Sequence, residues 1–163
     1  SSTIRSWPTK ALSLKYRQAM VDEAFMRIAL QEAAEAYREG EIPIGAVVEC
    51  GGRIVGRGHN LTERLGDVTA HAEMQAITAA AATLGSKYLP DCTLYVTVEP
   101  CTMCAGAIGW AQVGRVVIGC MDEKRGYTTI VKKTPLHPRT QVTQGVLADE
   151  CRALMQSFFQ SKR

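Results

Sequence analysis

Apolar residues recur at helical spacing in several stretches of the chain and form short strand-like runs in others. The clearest helical pattern covers residues 22–39, where apolar positions repeat every three or four residues and Gly40 follows as a C-terminal stop. Further helices are predicted for residues 71–84, 101–111 and 148–160. The helix over 71–84 is rich in alanine and ends before Gly85. Four helices are therefore expected.

Strands are predicted between these helices. They cover residues 44–49, 53–58, 93–98, 115–120 and 141–146. The first two flank Gly51-Gly52, a connection that can adopt positive φ values, so they should form an antiparallel hairpin. The connection from Asp122 to Thr140 is long enough to cross the sheet and make the last two strands parallel. This order predicts an α/β domain with helices on both faces of a mixed five-stranded sheet.

The length of 163 residues fits one domain, residues 20–163, preceded by an N-terminal extension, residues 1–19. The extension contains Ser and Arg but no acid, which formally resembles an organelle transit peptide. Met20 stands just before the first predicted helix, so we favour an added or flexible segment, an upstream start or a natural extension over a targeting signal. No apolar run approaches the ~20 residues that span a bilayer, so the domain is not expected to be an integral membrane protein.

Cysteine usage and charge distribution indicate the compartment of the protein and a class of binding partner. Two of the six cysteines form a Cys-x-x-Cys motif, and the other four are expected to be reduced, which predicts a reducing compartment, the cytoplasm. Those four are Cys50, Cys92, Cys120 and Cys151. Residues 20–123 carry 7 basic and 14 acidic side chains, whereas residues 124–163 carry 8 basic and 2 acidic ones. A basic C-terminal segment suits a surface that binds nucleic acid phosphates, although it also suits a solvated tail.

Two short motifs carry the candidate chemistry. They are His71-Ala72-Glu73 and, about thirty residues later, Pro100-Cys101-Thr102-Met103-Cys104. His71, Cys101 and Cys104 supply an imidazole and two thiolates, which is a donor set for a catalytic zinc that keeps its fourth position for water. Glu73 follows on the first turn of a helix, where its carboxylate can reach the water rather than the metal. We therefore predict a catalytic zinc site with Glu73 as the general acid and base.

A lone Cys-x-x-Cys is also compatible with a redox pair or a structural zinc site. Structural zinc normally takes four protein ligands, and the chain has no second Cys-x-x-Cys. A thioredoxin-like pair lacks its usual context here, since Glu99-Pro100 precedes the motif. Both halves of the site are predicted at helix N-termini, whose amides and dipoles favour thiolates. Catalytic zinc is therefore the favoured interpretation.

Five segments resemble the cytidine-deaminase-like superfamily and, within it, the bacterial tRNA adenosine deaminases along nearly all of residues 20–163. They are residues 41–47 (EIPIGAV), 58–60 (GHN), 69–74 (TAHAEM), 94–101 (LYVTVEPC) and 145–151 (GVLADEC). The resemblance implies a three-layer α/β/α cytidine-deaminase-like fold, one Zn²⁺ per subunit and a homodimer. It also implies hydrolytic deamination of adenosine to inosine at the wobble position of a tRNA anticodon, by zinc-activated water with Glu73 as the proton shuttle.

The same resemblance assigns contacts to the tRNA substrate. Asn60 would hydrogen-bond the target nucleoside, and Ile42 and Pro43 would form part of its pocket wall. Asp122 matches a residue that contacts a ribose hydroxyl beside the target, a contact that favours RNA over DNA.

The C-terminal helix carries the part of the resemblance that is specific to the tRNA enzymes. Phe158 and Phe159 are adjacent and point to different faces, so Phe158 is expected to pack in the core and Phe159 to stack on a flipped loop base. The chain departs from the family at Gln160, where a basic residue is common, and across residues 127–136.

Two other functions fit parts of the sequence. A guanine deaminase, or another free-base or nucleoside deaminase, has a similar zinc motif and a following segment similar to residues 106–111. That family usually lacks the helix at residues 146–151 and the basic end. A catalytically silent RNA-binding subunit on the same fold typically loses the acid, whereas Glu73 is present here.

Overall fold

The first helix is longer than its apolar pattern predicts. In a computed structural model of the chain, which describes residues 10–163 and the side chains from Ser13 onward, helix α1 spans Lys10–Arg38. Residues 10–21 contain no Gly or Pro and many good helix formers, so the helix continues even though the side chains of residues 14–21 are exposed. The predicted extension over residues 1–19 thus overlaps the start of α1, and residues 1–9 lie outside the described part.

The five strands form one mixed sheet in the order β2-β1-β3-β4-β5. The strands are β1 (Gly45–Cys50), β2 (Arg53–His59), β3 (Cys92–Val98), β4 (Arg115–Cys120) and β5 (Gln141–Thr143). Strand β1 is antiparallel to β2 and β3, while β3, β4 and β5 run parallel. The predicted hairpin and the parallel last pair are both confirmed. Strand β5 is shorter than predicted, because Gly145 adopts a φ of 83° and turns the chain away.

Five further helices connect and flank the strands. They are α2 (Thr62–Leu65), α3 (Ala72–Leu84), α4 (Thr102–Ala111), α5 (Tyr127–Ile130) and α6 (Ala148–Ser161). Helices α3, α4 and α6 match their predicted positions to within one residue at each end. Helices α2 and α5 are not among the four predicted helices. Each is one turn long, too short to show helical periodicity in the sequence.

Alternate residues of β1 face two separate apolar layers. Ala46 and Val48 pack with residues of α3 and α4, whereas Val47 packs with α1 and α6 on the other face. Strand β2 lies so close to α3 that a Cβ on Gly56 would be 2.3 Å from the carbonyl oxygen of Ala76. The predicted three-layer α/β/α arrangement is confirmed. Within residues 10–163, every helix is too short or too polar to cross a membrane.

A buried ion pair joins α1 to the sheet. Arg115, the first residue of β4, donates two hydrogen bonds of 2.7 Å to the carboxylate of Asp22 in α1. The hydroxyl of Tyr95 donates a third at 3.0 Å. Burial alone would raise the pKa of Asp22, but the hydrogen bonds and charge of Arg115 outweigh it and hold that pKa below its usual value. The pair therefore fastens α1 at the amino end of β4.

Candidate active site

The two predicted motifs meet at the starts of two helices. His71 is the residue before α3, and Cys101 is the residue before α4; both have extended backbone conformations. Cys104 lies one turn further along α4 and is buried. Helix α4 follows the carboxyl end of β3 after only a short connection, which fixes the cysteine pair at that edge of the sheet.

The donor atoms of these three residues have the spacing that zinc requires. Nδ1 of His71 lies 3.6 Å from Sγ of Cys101 and 3.5 Å from Sγ of Cys104. All three donor atoms lie within 4.8 Å of one another. Zinc bonds of about 2.0–2.1 Å to nitrogen and about 2.3 Å to sulfur, meeting at a tetrahedral angle, separate the two atoms by about 3.6 Å. The donor set therefore fits a tetrahedral zinc ion with its fourth position free of protein.

The two thiols are electrostatically unequal. A hydrogen bond from Cys104, assisted by His71, lowers the pKa of Cys101 to about 4. The same hydrogen bond and burial raise the pKa of Cys104. The pair therefore holds one thiolate at neutral pH before any metal charge is considered, and a bound divalent cation would favour loss of the second proton.

Glu73 lies beside this donor set. It occupies the first turn of α3, its side chain is 3% exposed, and both His71 and the Cys104 thiol are close enough to influence its charge. Burial is the main cause that raises its pKa to about 7. A carboxyl group that titrates near neutrality can both accept and donate a proton under physiological conditions.

The residues expected to contact the target nucleoside border the same end of the sheet. Asn60 follows β2 and is buried, and its backbone N–H donates to the carbonyl of Ile44 at 3.1 Å. This contact brings it beside the Ile42-Pro43 segment. Its side-chain Oδ1 accepts from the N–H of Thr62 at 3.2 Å. Asn60 thus caps the local turn, and that hydrogen bond orients its amide group.

Asp122 lies on the loop after β4, and this loop contacts the cysteine motif. The carboxylate accepts hydrogen bonds of 3.0 Å from the backbone N–H groups of Lys124 and Arg125. Further along the loop, Gly126 forms a β-bridge with Cys101. The fold therefore brings Asp122 to the side of the site formed by the metal-donor residues.

Phe159 is set apart from the metal-donor residues. Helix α6 packs on α1, β3 and β4 rather than on α3 or α4. Phe158 is 6% exposed and its ring stacks edge-on against Tyr37, whereas Phe159 is 46% exposed. This division matches the expected inward and outward directions of the two rings.

Two buried carboxylates that the sequence did not predict border the site. Glu41 accepts the backbone N–H groups of Glu63 and Arg64, at 3.0 and 2.8 Å, where α2 begins. Glu99 accepts two backbone N–H groups and one hydroxyl from the loop after β4. Neither forms a salt bridge with any residue whose side chain is described. The only signal in the sequence is an acid directly beside an apolar run.

Comparison with known proteins supports this picture of the site. Residues 19–120 match the family model for the cytidine and deoxycytidylate deaminase zinc-binding region. That range contains all three metal-donor residues and Glu73.

Three individual proteins are similar to this chain over most of its length. The chain is 44% identical over 143 residues to a tRNA-specific adenosine deaminase of Streptococcus pyogenes serotype M18 (strain MGAS8232), covering 85% of this chain and 90% of that protein. A solved structure from work on A-to-I editing by tRNA:A34 deaminases is 41% identical with a TM-score of 0.75, covering 80% of this chain and 98% of the other. A guanine deaminase from Nitrosomonas europaea is 25% identical with a TM-score of 0.71, covering 83% of both chains.

Proposed function

Since the chain belongs to the zinc-binding cytidine and deoxycytidylate deaminase family, and within it to the tRNA-specific adenosine deaminases, we propose that it converts adenosine to inosine at the wobble position of a tRNA anticodon. The observation that carries this proposal is the buried carboxyl of Glu73 beside the imidazole and two thiols at one edge of the sheet. That set of groups suits hydrolytic removal of an amino group from a nucleobase.

His71, Cys101 and Cys104 would hold one zinc ion per subunit. When bound, zinc supplies a Lewis acid that lowers the pKa of a coordinated water to about 7. The fit rests on the donor types and on the spacing between the imidazole nitrogen and the two sulfurs.

Glu73 would move the protons of the reaction. It would accept a proton from the attacking water as the oxygen bonds to C6 of adenine, and deliver that proton to ring nitrogen N1. It would then transfer the second proton of that water, from the oxygen now bonded to C6, to the amino group. The amino group leaves as ammonia when the C6–N bond breaks.

The substrate would be held by residues around this centre. Asn60 would hydrogen-bond the target nucleoside, Ile42 and Pro43 would form part of the pocket wall, and Asp122 would contact a neighbouring ribose hydroxyl. The exposed ring of Phe159 would stack on an unpaired base of the anticodon loop. Basic residues of the segment 124–163 would neutralise phosphates of the tRNA.

A homodimer is supported by an apolar surface on α4 and the loop after α3. Trp110 is 85% exposed and Tyr88 is 45% exposed beside it. Large exposed aromatic groups of this kind mark interaction surfaces, and a second copy of the chain is the partner that the family predicts. Replacing Trp110 with Glu should convert a dimer to a monomer in light scattering; an unchanged dimer would place its interface elsewhere.

We also assign the protein to the cytoplasm, where tRNA is available. All six cysteines are free thiols in the structure, which suits a reducing compartment.

Ammonia release from a small panel of substrates tests the proposed reaction. The panel contains an anticodon stem-loop with adenosine at the wobble position, and separately guanine, cytosine and cytidine. Ammonia should come from the stem-loop. Release only from guanine would favour the second candidate, a guanine deaminase, whose solved relative has a similar fold.

A further inference from the structure

Glu99 is a buried acid with no place in the deamination chemistry. Its side chain is 4% exposed and lies just after β3, directly before the cysteine motif. Oε1 accepts the N–H of Asp122 at 3.0 Å, and Oε2 accepts both the N–H and the hydroxyl of Thr128, at 3.0 and 2.6 Å. A buried charge is costly unless its hydrogen bonds are satisfied. Here every observed partner belongs to one loop.

That loop, residues 121–128, includes the first two residues of α5 and lies directly against the carboxylate. A Cβ added to Gly126 would be 2.1 Å from Oε1 of Glu99 and 2.6 Å from the carbonyl oxygen of Asp122. The φ of Gly126 is −61°, which any residue adopts, so close approach and not conformation requires glycine here. No side chain fits between the loop and the carboxylate as they stand.

The same loop also touches the metal-donor segment. Gly126 forms its β-bridge with Cys101, and the N–H of Tyr127 donates to the carbonyl of Pro100 at 3.0 Å. Glu99 therefore binds this loop at Asp122 and at Thr128. Between these two points, Gly126 of the loop contacts Cys101, one of the metal-donor residues. Loss of the carboxylate would release the ends first, at Asp122 and Thr128.

We propose that Glu99 is a positioning residue that fixes the loop of residues 121–128 against the cysteine motif and thereby sets how Asp122 meets the substrate. The carboxylate acts through the backbone and does not touch the reacting atoms. This role rests on the proposed function, because Asp122 is the residue through which the loop would contact RNA. The metal-donor residues themselves lie at the starts of α3 and α4.

Two variants test this role in different ways. Glu99→Gln replaces one of the two acceptor oxygens with an NH₂ group. That group is a donor and would face a backbone N–H or hydroxyl that also donates, so at least one hydrogen bond is lost. Gly126→Ala keeps the carboxylate but cannot keep its contact with the loop. Both should lower kcat/KM for the stem-loop by about 10- to 100-fold, the size of effect expected when a contact is misplaced by about 1 Å. Zinc content should stay at the wild-type level in both.

Glu49→Gln is the matched control. Glu49 also accepts a backbone N–H, from Gly52 at 2.7 Å, but it does so in the β1–β2 turn. The chemical change is identical to Glu99→Gln, and kcat/KM should not change.

A double-mutant cycle with Asp122→Ala separates positioning from general support of the fold. If Glu99 acts through Asp122, the double variant should be no slower on the stem-loop than the slower single variant. If the fold-losses in kcat/KM of the two single variants multiply in the double variant, Glu99 acts independently of Asp122 and the proposal is overturned. Loss of zinc from Glu99→Gln would overturn it too.

Hydrogen exchange gives a readout that does not depend on the substrate. The amides of Asp122 and Thr128 should exchange faster in Glu99→Gln than in the wild type or in Glu49→Gln. Unchanged protection would overturn the proposal whatever the enzyme acts on. If the wild type does not deaminate the stem-loop, the proposed function fails, and faster exchange would still show that Glu99 holds the loop.

Discussion

Buried carboxylates occur at both ends of the parallel strands, with different partners. Near the amino end of β4, Asp22 is 3% exposed and is paired with Arg115. At the carboxyl ends, Glu73 and Glu99 are equally buried, and neither forms a salt bridge with a residue whose side chain is described. The difference separates two uses of a buried charge. The paired acid holds two elements together, whereas the roles that we propose for the unpaired acids are proton transfer for Glu73 and holding a loop for Glu99.

This comparison predicts that stability and activity can be separated by substitution. Removing one member of a buried ion pair leaves the other uncompensated, so stability falls. Removing the buried carboxyl of Glu73 relieves a desolvation cost, so we expect the chemistry to be lost while the fold is retained.

The largest effect is expected for Glu73→Gln. Loss of the proton-transfer group should lower the single-turnover deamination rate by about 10²- to 10⁴-fold, while zinc content and the free energy of unfolding are not reduced. Rapid-quench kinetics and metal analysis measure these quantities. Glu23→Gln, on the exposed face of α1, is the matched control and should keep wild-type turnover. Retained turnover in Glu73→Gln would remove Glu73 from the mechanism.

Asp22→Ala is expected to lower stability without lowering activity. Arg115 is left partly buried without its partner, so the free energy of unfolding should fall by about 3–5 kcal/mol, while kcat/KM per folded molecule is unchanged. Denaturant titration and active-site-normalised kinetics measure the two. Replacing Asp22 and Arg115 together with apolar residues of similar volume should recover most of the loss. A loss below about 1 kcal/mol in the single variant would show that the pair behaves like an exposed salt bridge.

Substitution of the two adjacent phenylalanines should also separate RNA binding from stability. Phe159→Ala should weaken stem-loop binding by about 1–3 kcal/mol, the contribution of one stacked base, without changing stability. Phe158→Ala removes a buried ring and should destabilise the fold by about 3–5 kcal/mol. Fluorescence anisotropy and thermal unfolding report the two effects. Equal binding by Phe159→Ala would exclude that ring from the RNA surface.

The smallest effect is expected in the pH dependence of stability. The folded-state pKa of Asp22 lies below its ordinary value of 3.8, so its contribution is present above that value and is lost as pH falls through the folded pKa. The difference in unfolding free energy between the wild type and Asp22→Ala should therefore be constant from neutral pH to about 5 and narrow below about 4. A difference that widens with acid would contradict the sign of this shift.

The sequence predicts the long elements and the metal-donor residues because their signals are local. Helical periodicity marks α3 and α4, and the spacing of His71, Cys101 and Cys104 carries the donor chemistry directly. The close match of β4 to residues 115–120 has the same origin, a short apolar run between polar turns.

The parts that the sequence did not predict depend on contacts between distant segments. Helix α2 is one turn long and begins where the carboxylate of Glu41 accepts its first N–H groups. The loop of residues 121–128, which runs into α5, is held in the same way by Glu99. Neither acid is part of a recognisable motif with its loop. Gly126 carries no signal either, since its requirement comes from the carboxylate that lies against it.

Location of inosine in a treated anticodon stem-loop tests the central claim most directly. The stem-loop carries adenosine at the wobble position and at one other loop position, and its nucleosides are assigned by mass spectrometry after limited digestion. The wild type should produce inosine at the wobble position alone, and Glu73→Gln should produce none in the same time. Absence of inosine with the wild type, in a preparation that contains one zinc per chain and deaminates guanine, would contradict the proposed function.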